Sequence, residues 1–395
     1  MDRSSARTLP RATVSPAGQA LPTDDVPAGR RAALPASLLL AVGGYLLARL
    51  AGVLVLAPWA SRRGTGLLPL LAHRSDAAWY LEIARHGYDG GQGQSNLAFF
   101  PLYPGLVAGV GRLVGWGAYP GLIVGWTAAL VAAAGLYAVG DLVAGRRVGV
   151  LLAVLWGALP HAVVELMGYT EALFTALAAW SLYALLRRRW LTAGLLCALA
   201  GLARPSAVAL VPVLVVDVVL VLVRQRPGWR NWRPVLAALL APLGVAGYLG
   251  WVALRTGRLD GWTRVQRNGW GSSWDGGADA LRQAGHVLSG EQPLELYAVT
   301  GIVLVAVLLG VLLVTDRTAW QLTAYALAGL VVTIGSAGYY HAKARFLLTA
   351  FPLLLPLAAS LARAGRTRRV LTLVALVAGS AWFGGYLLLV WRWSP

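Results

Sequence analysis

An all-α polytopic bundle of membrane helices is the fold class this sequence predicts, on three observations. Of its 395 residues, 58% are hydrophobic and only 13% charged, against about 25% charged in soluble domains; the mean hydropathy is +0.64. Apolar stretches recur from Leu34 almost to the C-terminal residue, and about 20 such residues suffice for a helix to cross a bilayer. Arginines gather in short clusters between the stretches, as they do in cytoplasmic loops. That spacing argues against nucleic acid as a partner, because the net charge of +18 is divided among loops rather than laid along one face. Cys197 is the single cysteine and lies in an apolar run, so neither a disulfide framework nor a thiolate metal site is expected.

Residues 1–33 are rich in Pro, Ser, Thr and Arg and read as a disordered cytoplasmic tail. The first span, 34–59, is long enough to stay in the membrane as an anchor rather than act as a cleaved signal. A polar loop, 60–98, follows it. Further apolar stretches lie at 99–116, 118–143, 148–166, 170–186, 190–203, 206–223, 234–254, 297–315, 318–336, 345–362 and 370–391. The basic clusters Arg146-Arg147, Arg187 to Arg189, Arg224 to Arg233, Arg317 and Arg363 to Arg369 all fall inside if every stretch from 118 onward crosses once. The same alternation places the 60–98 loop, the 167–170 turn, Arg204, the 255–296 loop and the 339–345 loop outside. One of the three stretches between Asp76 and Glu171 then fails to cross. The expectation falls on 99–116, which is short and carries Pro101 and Pro104; 148–166 is the alternative. About 11 crossings remain, with interfacial helices in the first external loop. Prolines inside the spans suggest bent helices around a cavity.

Within the first loop, R-S-D-A-A-W-Y-L-E-I-A-R-H-G-Y-D reads as a short helix with Asp76, Tyr80, Ile83 and Gly87 on one face. Gly87 is its stop signal. A carboxylate on a short helix at a membrane surface makes Asp76 a candidate general base. Ionisable groups at span edges are functional candidates by default, and here these are Glu165, Glu171 and Arg204, with His341, Lys343 and Arg345. Glu171 also suits the first turn of a helix, where the macrodipole favours an acid. Arg204 needs an acid partner or a phosphate. A cation cluster at 341–345, on the side the charge rule depletes, points to an anionic ligand such as a lipid phosphate. The spacing of Trp262, Gln266 and Trp270 puts an amide between two indoles on one helix face, which suits a sugar. His73 and His86 fit no metal-ligand spacing, and no metal or cofactor is expected.

Several motifs together resemble one family. D-A-A-W-Y-L-E-I-A-R-H-G-Y (Asp76 to Tyr88) is followed by A-F-F-P-L-Y-P (Ala98 to Pro104). Further along are G-Y-T-E-A-L-F (Gly168 to Phe174), the run ending A-G-L-A-R-P-S at Ser206, Gln266 with Trp270, and K-A-R-F-L-L-x-x-F-P (Lys343 to Pro352). This set is similar to the PIG-V-type (GPI mannosyltransferase 2) enzymes and their bacterial relatives, which are GT-C glycosyltransferases. Ser75 stands where the family has Trp, and Trp79 where eukaryotic members have His. The resemblance implies a GT-C-like bundle over residues 34–395 that transfers mannose from polyprenyl-phosphate-mannose to an extracytoplasmic glycan, lipid or protein, with inversion. It implies Asp76 as the base, with Lys343, Arg345, His341 and Arg204 at the donor phosphate. Trp79, Tyr80, Glu82, Tyr169, Glu171, Gln266 and Trp270 are the matching sugar or acceptor contacts. The alternative from another class is a transporter or flippase for a lipid-linked sugar, although no inverted repeat stands out.

Overall fold

The computed structural model describes residues 36–225, 232–316 and 318–395. The expected tail 1–33, residues 226–231 of the Arg224–Arg233 cluster, and Arg317 lie outside the described residues.

Among the described residues the chain is mostly helical, with one two-residue strand pair. It opens with α1 (Ala36–Arg62), followed by the loop helices α2 (Leu67–His73) and α3 (Asp76–His86). Then come α4 (Leu102–Val114), α5 (Tyr119–Ala144), α6 (Arg146–Gly157), α7 (Glu171–Leu186), α8 (Trp190–Ala203) and α9 (Val211–Gln225). Next are α10 (Trp232–Leu240), α11 (Leu243–Thr256) and α12 (Gly261–Arg264), which runs into a π turn at Val265–Gly269. After β1 (Ser273–Trp274) lie α13 (Ala278–Ser289), α14 (Leu294–Thr315), α15 (Trp320–Gly335) and β2 (Ser336–Ala337). α16 (Lys343–Phe346), α17 (Leu355–Arg363) and α18 (Arg366–Leu389) complete it.

Every apolar stretch read from the sequence contains helix, but fewer are long than expected. Among the described residues six segments are long and apolar enough to cross a membrane: Ala36–Arg62, Tyr119–Ala144, Pro205–Arg224, Trp232–Thr256, Leu294–Thr315 and Arg366–Leu389. A pair bent by 80°, Tyr340–Thr349 with Phe351–Arg363, makes up to seven. α4, α7, α8 and α15 are apolar helices of 13 to 16 residues, short of the usual length for a crossing. The breaks have local causes. α8 stops at Arg204-Pro205, where the proline has no N–H and the residue before it is driven to an extended conformation. The 340–363 segment bends at Ala350, with Pro352 opening its second half.

A helix that stops inside an apolar bundle leaves carbonyls without partners, and this fold supplies them from neighbouring helices. α6 ends at Gly157, ahead of Pro160. Arg49 of α1 donates to the Gly157 carbonyl, and Ser380 of α18 donates to that of Leu159 at 2.7 Å. Glu165, buried beside them, ion-pairs with Arg49 at 3.9 Å. It is therefore a structural acid, remote from Arg204. Trp156 donates to the Leu348 carbonyl at 3.0 Å, binding α6 to the broken segment. Where α8 and α11 cross, a Cβ on Gly201 or Gly244 would collide with the opposing backbone; the small residues set the close approach. The polar turns between helices are thereby held against one another at one cavity.

Candidate active site

Asp76 owes its position to the backbone before it. Ser75 adopts φ 53°, a strained conformation for a residue other than glycine, and turns the chain so that Asp76 is the first residue of α3. There the helix dipole favours a carboxylate. Gly87, at φ 81°, ends the helix as the sequence predicts. The loop beyond it is locked by Asp89, which accepts hydrogen bonds from the backbone of Gly91 and Asn96 and from the Ser95 hydroxyl. Partial burial alone would raise the Asp89 carboxyl. Those hydrogen bonds, with Arg255 nearby, instead hold it below the usual carboxylate range.

Four segments far apart in sequence bring their charges together. Arg345 of α16 lies 2.9 Å from Asp76 Oδ2 through Nη1, and 3.3 Å from Glu171 Oε1 through Nε. Arg204 Nη1 is 2.8 Å from the same Glu171 oxygen and donates to Thr170 Oγ1 at 2.8 Å. Tyr80 shares the Thr170 hydroxyl at 3.1 Å. The Arg345 guanidinium lies over the Tyr169 ring, 5.1 Å from its centroid, and donates to Ser394 Oγ at 3.0 Å. The side chain of Glu171 is 1% exposed and that of Asp76 is 23% exposed. Only Asp76 is therefore open to a reacting hydroxyl.

This cluster forms one wall of a cavity of about 510 Å³. Tyr80, Phe99 and Phe100 continue the wall, and Trp262, Gln266 and Trp270 face it from the 255–296 loop. Trp270 packs edge-on against Phe99 at 5.2 Å and donates to the Ser95 carbonyl at 2.9 Å. The amide nitrogen of Gln266 donates to the Ala98 carbonyl at 3.3 Å, which fixes the orientation of its side chain. β1 and β2 pair antiparallel, Ser273 with Ala337 and Trp274 with Ser336. This clasp ties the 255–296 loop to the 336–346 turn, and both strands border the cavity.

Other expected site residues lie elsewhere. Lys343 is buried, and its ammonium donates to the carbonyls of Thr333 (2.8 Å), Ile334 (3.3 Å) and Ser336. It caps the C-terminal end of α15 and does not border the cavity. His341 also misses the cavity, packing between Tyr339 and Trp391. Glu82 is exposed and bonds His86 at 2.8 Å. Six residues beyond Asp76, it sits about 120° away around α3. Trp79 stacks behind Trp270 and Phe99; Tyr169 and Glu171 lie beneath the guanidiniums. These three brace the wall from behind. Among the described residues no three His, Cys, Asp or Glu side chains converge as metal ligands.

Against known proteins, no family model matches the chain and no curated protein gives a match. Among solved structures, ArnT from Cupriavidus metallidurans bound to undecaprenyl phosphate aligns with a TM-score of 0.53. The identity is 16% over 85% of this chain and 62% of that one. The apo state of ArnT from the same organism aligns at 0.50, with the same identity and coverage. The fold is ArnT-like. At this identity the likeness is one of fold, and this chain spans 62% of the ArnT length. Within that fold, sequence reasoning missed Ser394, which borders the cavity and holds Arg345. It also gave Arg267 no role, although Arg267 borders the cavity beside Gln266.

Proposed function

We propose that this chain is an integral-membrane glycosyltransferase that moves mannose from polyprenyl-phosphate-mannose to an extracytoplasmic glycan, lipid or protein acceptor, with inversion at the anomeric carbon. The observation that carries this reading is the contact of Asp76 with Arg345 on the cavity wall, at 2.9 Å. Inverting transfer from a phosphate donor requires a base for the acceptor hydroxyl and a cation for the departing phosphate. The acceptor oxygen attacks C1 of the sugar while Asp76 takes its proton. The bond between C1 and the phosphate oxygen breaks, and its electron pair leaves with polyprenyl phosphate. Arg345 and Arg204 offset the charge that develops there, while Glu171 holds both guanidiniums in place.

Three further observations support the reading. ArnT with the same fold type has undecaprenyl phosphate bound, which favours a lipid-phosphate donor here. Asp76 and Glu171 are both already engaged by guanidiniums, so no spare carboxylate awaits a sugar ammonium and an uncharged hexose suits the site. The motif resemblance to PIG-V-type enzymes adds mannose. The distribution of arginines supports an N-terminal tail in the cytoplasm and a cavity on the other face of the cell membrane. Membranes containing the full chain, given labelled polyprenyl-phosphate-mannose, are expected to pass the label to a new glycoconjugate. Label taken only from a nucleotide sugar, or labelled lipid merely moved across the bilayer unchanged, would overturn the reading in favour of another enzyme class or a flippase.

A further inference from the structure

The geometry points to Arg267 as the side chain that balances the charge of the donor phosphate, an assignment that rests on the lipid-phosphate reading above. Among the described residues, four charged side chains border the cavity: Asp76, Arg204, Arg267 and Arg345. Asp76 and Glu171 neutralise Arg345 and Arg204, so that group has no net charge. Lys343 and Arg282 are matched in turn by Asp275 and Asp279. Arg267 is the cavity-bordering cation with no carboxylate at ion-pair distance among the described residues. Its backbone is anchored, because the π turn Val265–Gly269 is held by Gln266 on Ala98 and by Trp270 on Ser95.

Counted with Arg267, the site carries one positive charge before reaction, and a phosphodiester donor brings one negative charge. After transfer Asp76 holds a proton, which leaves two positive charges, and the released phosphate monoester carries close to two negative ones. The site is neutral with its ligand at both ends of the reaction. Arg267 is itself exposed, and without it the site would be short of a cation at both. The same count disfavours a donor sugar or acceptor group carrying its own carboxylate.

The test uses purified full chain in lipid nanodiscs, with undecaprenyl phosphate and undecaprenol as probes and quenching of cavity tryptophan fluorescence as the readout. Arg267→Ala is expected to weaken undecaprenyl phosphate binding by about tenfold to a hundredfold, the worth of one charge-assisted hydrogen bond. Undecaprenol binding should stay level, and Arg267→Lys should recover most of the phosphate affinity. An Arg267→Ala protein that binds undecaprenyl phosphate like the wild type overturns the assignment alone. Equal loss of both lipids also overturns it, since Arg267 would then shape the cavity rather than balance charge. A wild type with no preference for the phosphate over the alcohol overturns the lipid-phosphate reading together with it.

Discussion

Asp76 and Glu171 share the Arg345 guanidinium, yet their surroundings divide their roles. Asp76 opens onto the cavity, whereas Glu171 is enclosed between Arg204 and Arg345. Removing a buried acid leaves its cations without a counter-charge, at a cost of about 3–5 kcal/mol. Glu171→Gln is therefore expected to lower the thermal midpoint by several degrees as well as activity, whereas Asp76→Asn leaves the midpoint near the wild-type value; a melt of each purified protein checks both. Ser394 gives one neutral hydrogen bond to Arg345, worth about 0.5–1.5 kcal/mol. Ser394→Ala should thus reduce kcat/KM by about twofold to tenfold, and Ser394→Thr should restore it. Asp76, Glu171, Arg204 and Arg345 were legible in the sequence because charge is rare in an apolar chain and demands an explanation. Ser394 was not, since a hydroxyl beyond the last span has no spacing or charge to mark where it folds back.

Lys343 shows how an element can claim a residue that motif reading assigned to a ligand. In sequence, Lys343 and Arg345 look equivalent. In the fold α15 ends beside the 336–346 turn, and its open carbonyls take the ammonium, the capping need that every helix end presents. Lys343→Met is accordingly expected to loosen the β1–β2 clasp, read as faster proteolysis within 336–342, while Arg345→Met leaves the clasp intact and reduces transfer more. A Cβ at Gly335 would enter the Trp274 ring, so the clasp also depends on that glycine. The loop after α3 should respond to acid through Asp89. Its carboxyl lies below the ordinary range, so the stability it lends is full above the unfolded value near about 3.9 and is lost as pH falls through the lower folded value. Hydrogen exchange across 89–97 should accelerate over that window, and Asp89→Asn should abolish the dependence.

At the scale of the whole molecule, every apolar stretch marked by hydropathy holds helix, but α2, α3, α12 and α13 lie outside those stretches, and among the described residues six segments, or seven with the bent pair, are long and apolar enough to cross. Apolar content sets where helix forms. Whether a helix continues is decided by side chains from other parts of the chain, such as Arg49 and Ser380 satisfying the carbonyls where α6 breaks. Such partners are distant in sequence and leave no local pattern. The gathering of the 60–98 loop, the 167–170 turn, Arg204 and the 339–345 loop was legible through arginine alternation, which assigns them to one face. Sidedness itself is testable, because Cys197 is buried and gives little labelling background. Cysteines at Gly93 and Ser289 are expected to react with a membrane-impermeant maleimide from outside the cell, and one at Arg187 only after permeabilisation.

The proposed transfer requires a carboxylate that acts as a base while guanidiniums receive the departing phosphate. Transfer of labelled mannose by Asp76→Asn protein tests this most directly, with undecaprenyl phosphate binding followed in the same preparation. A loss of about 10²- to 10⁴-fold in transfer, with undecaprenyl phosphate bound at least as tightly as by the wild type, is the predicted result. Transfer that survives the substitution would contradict it.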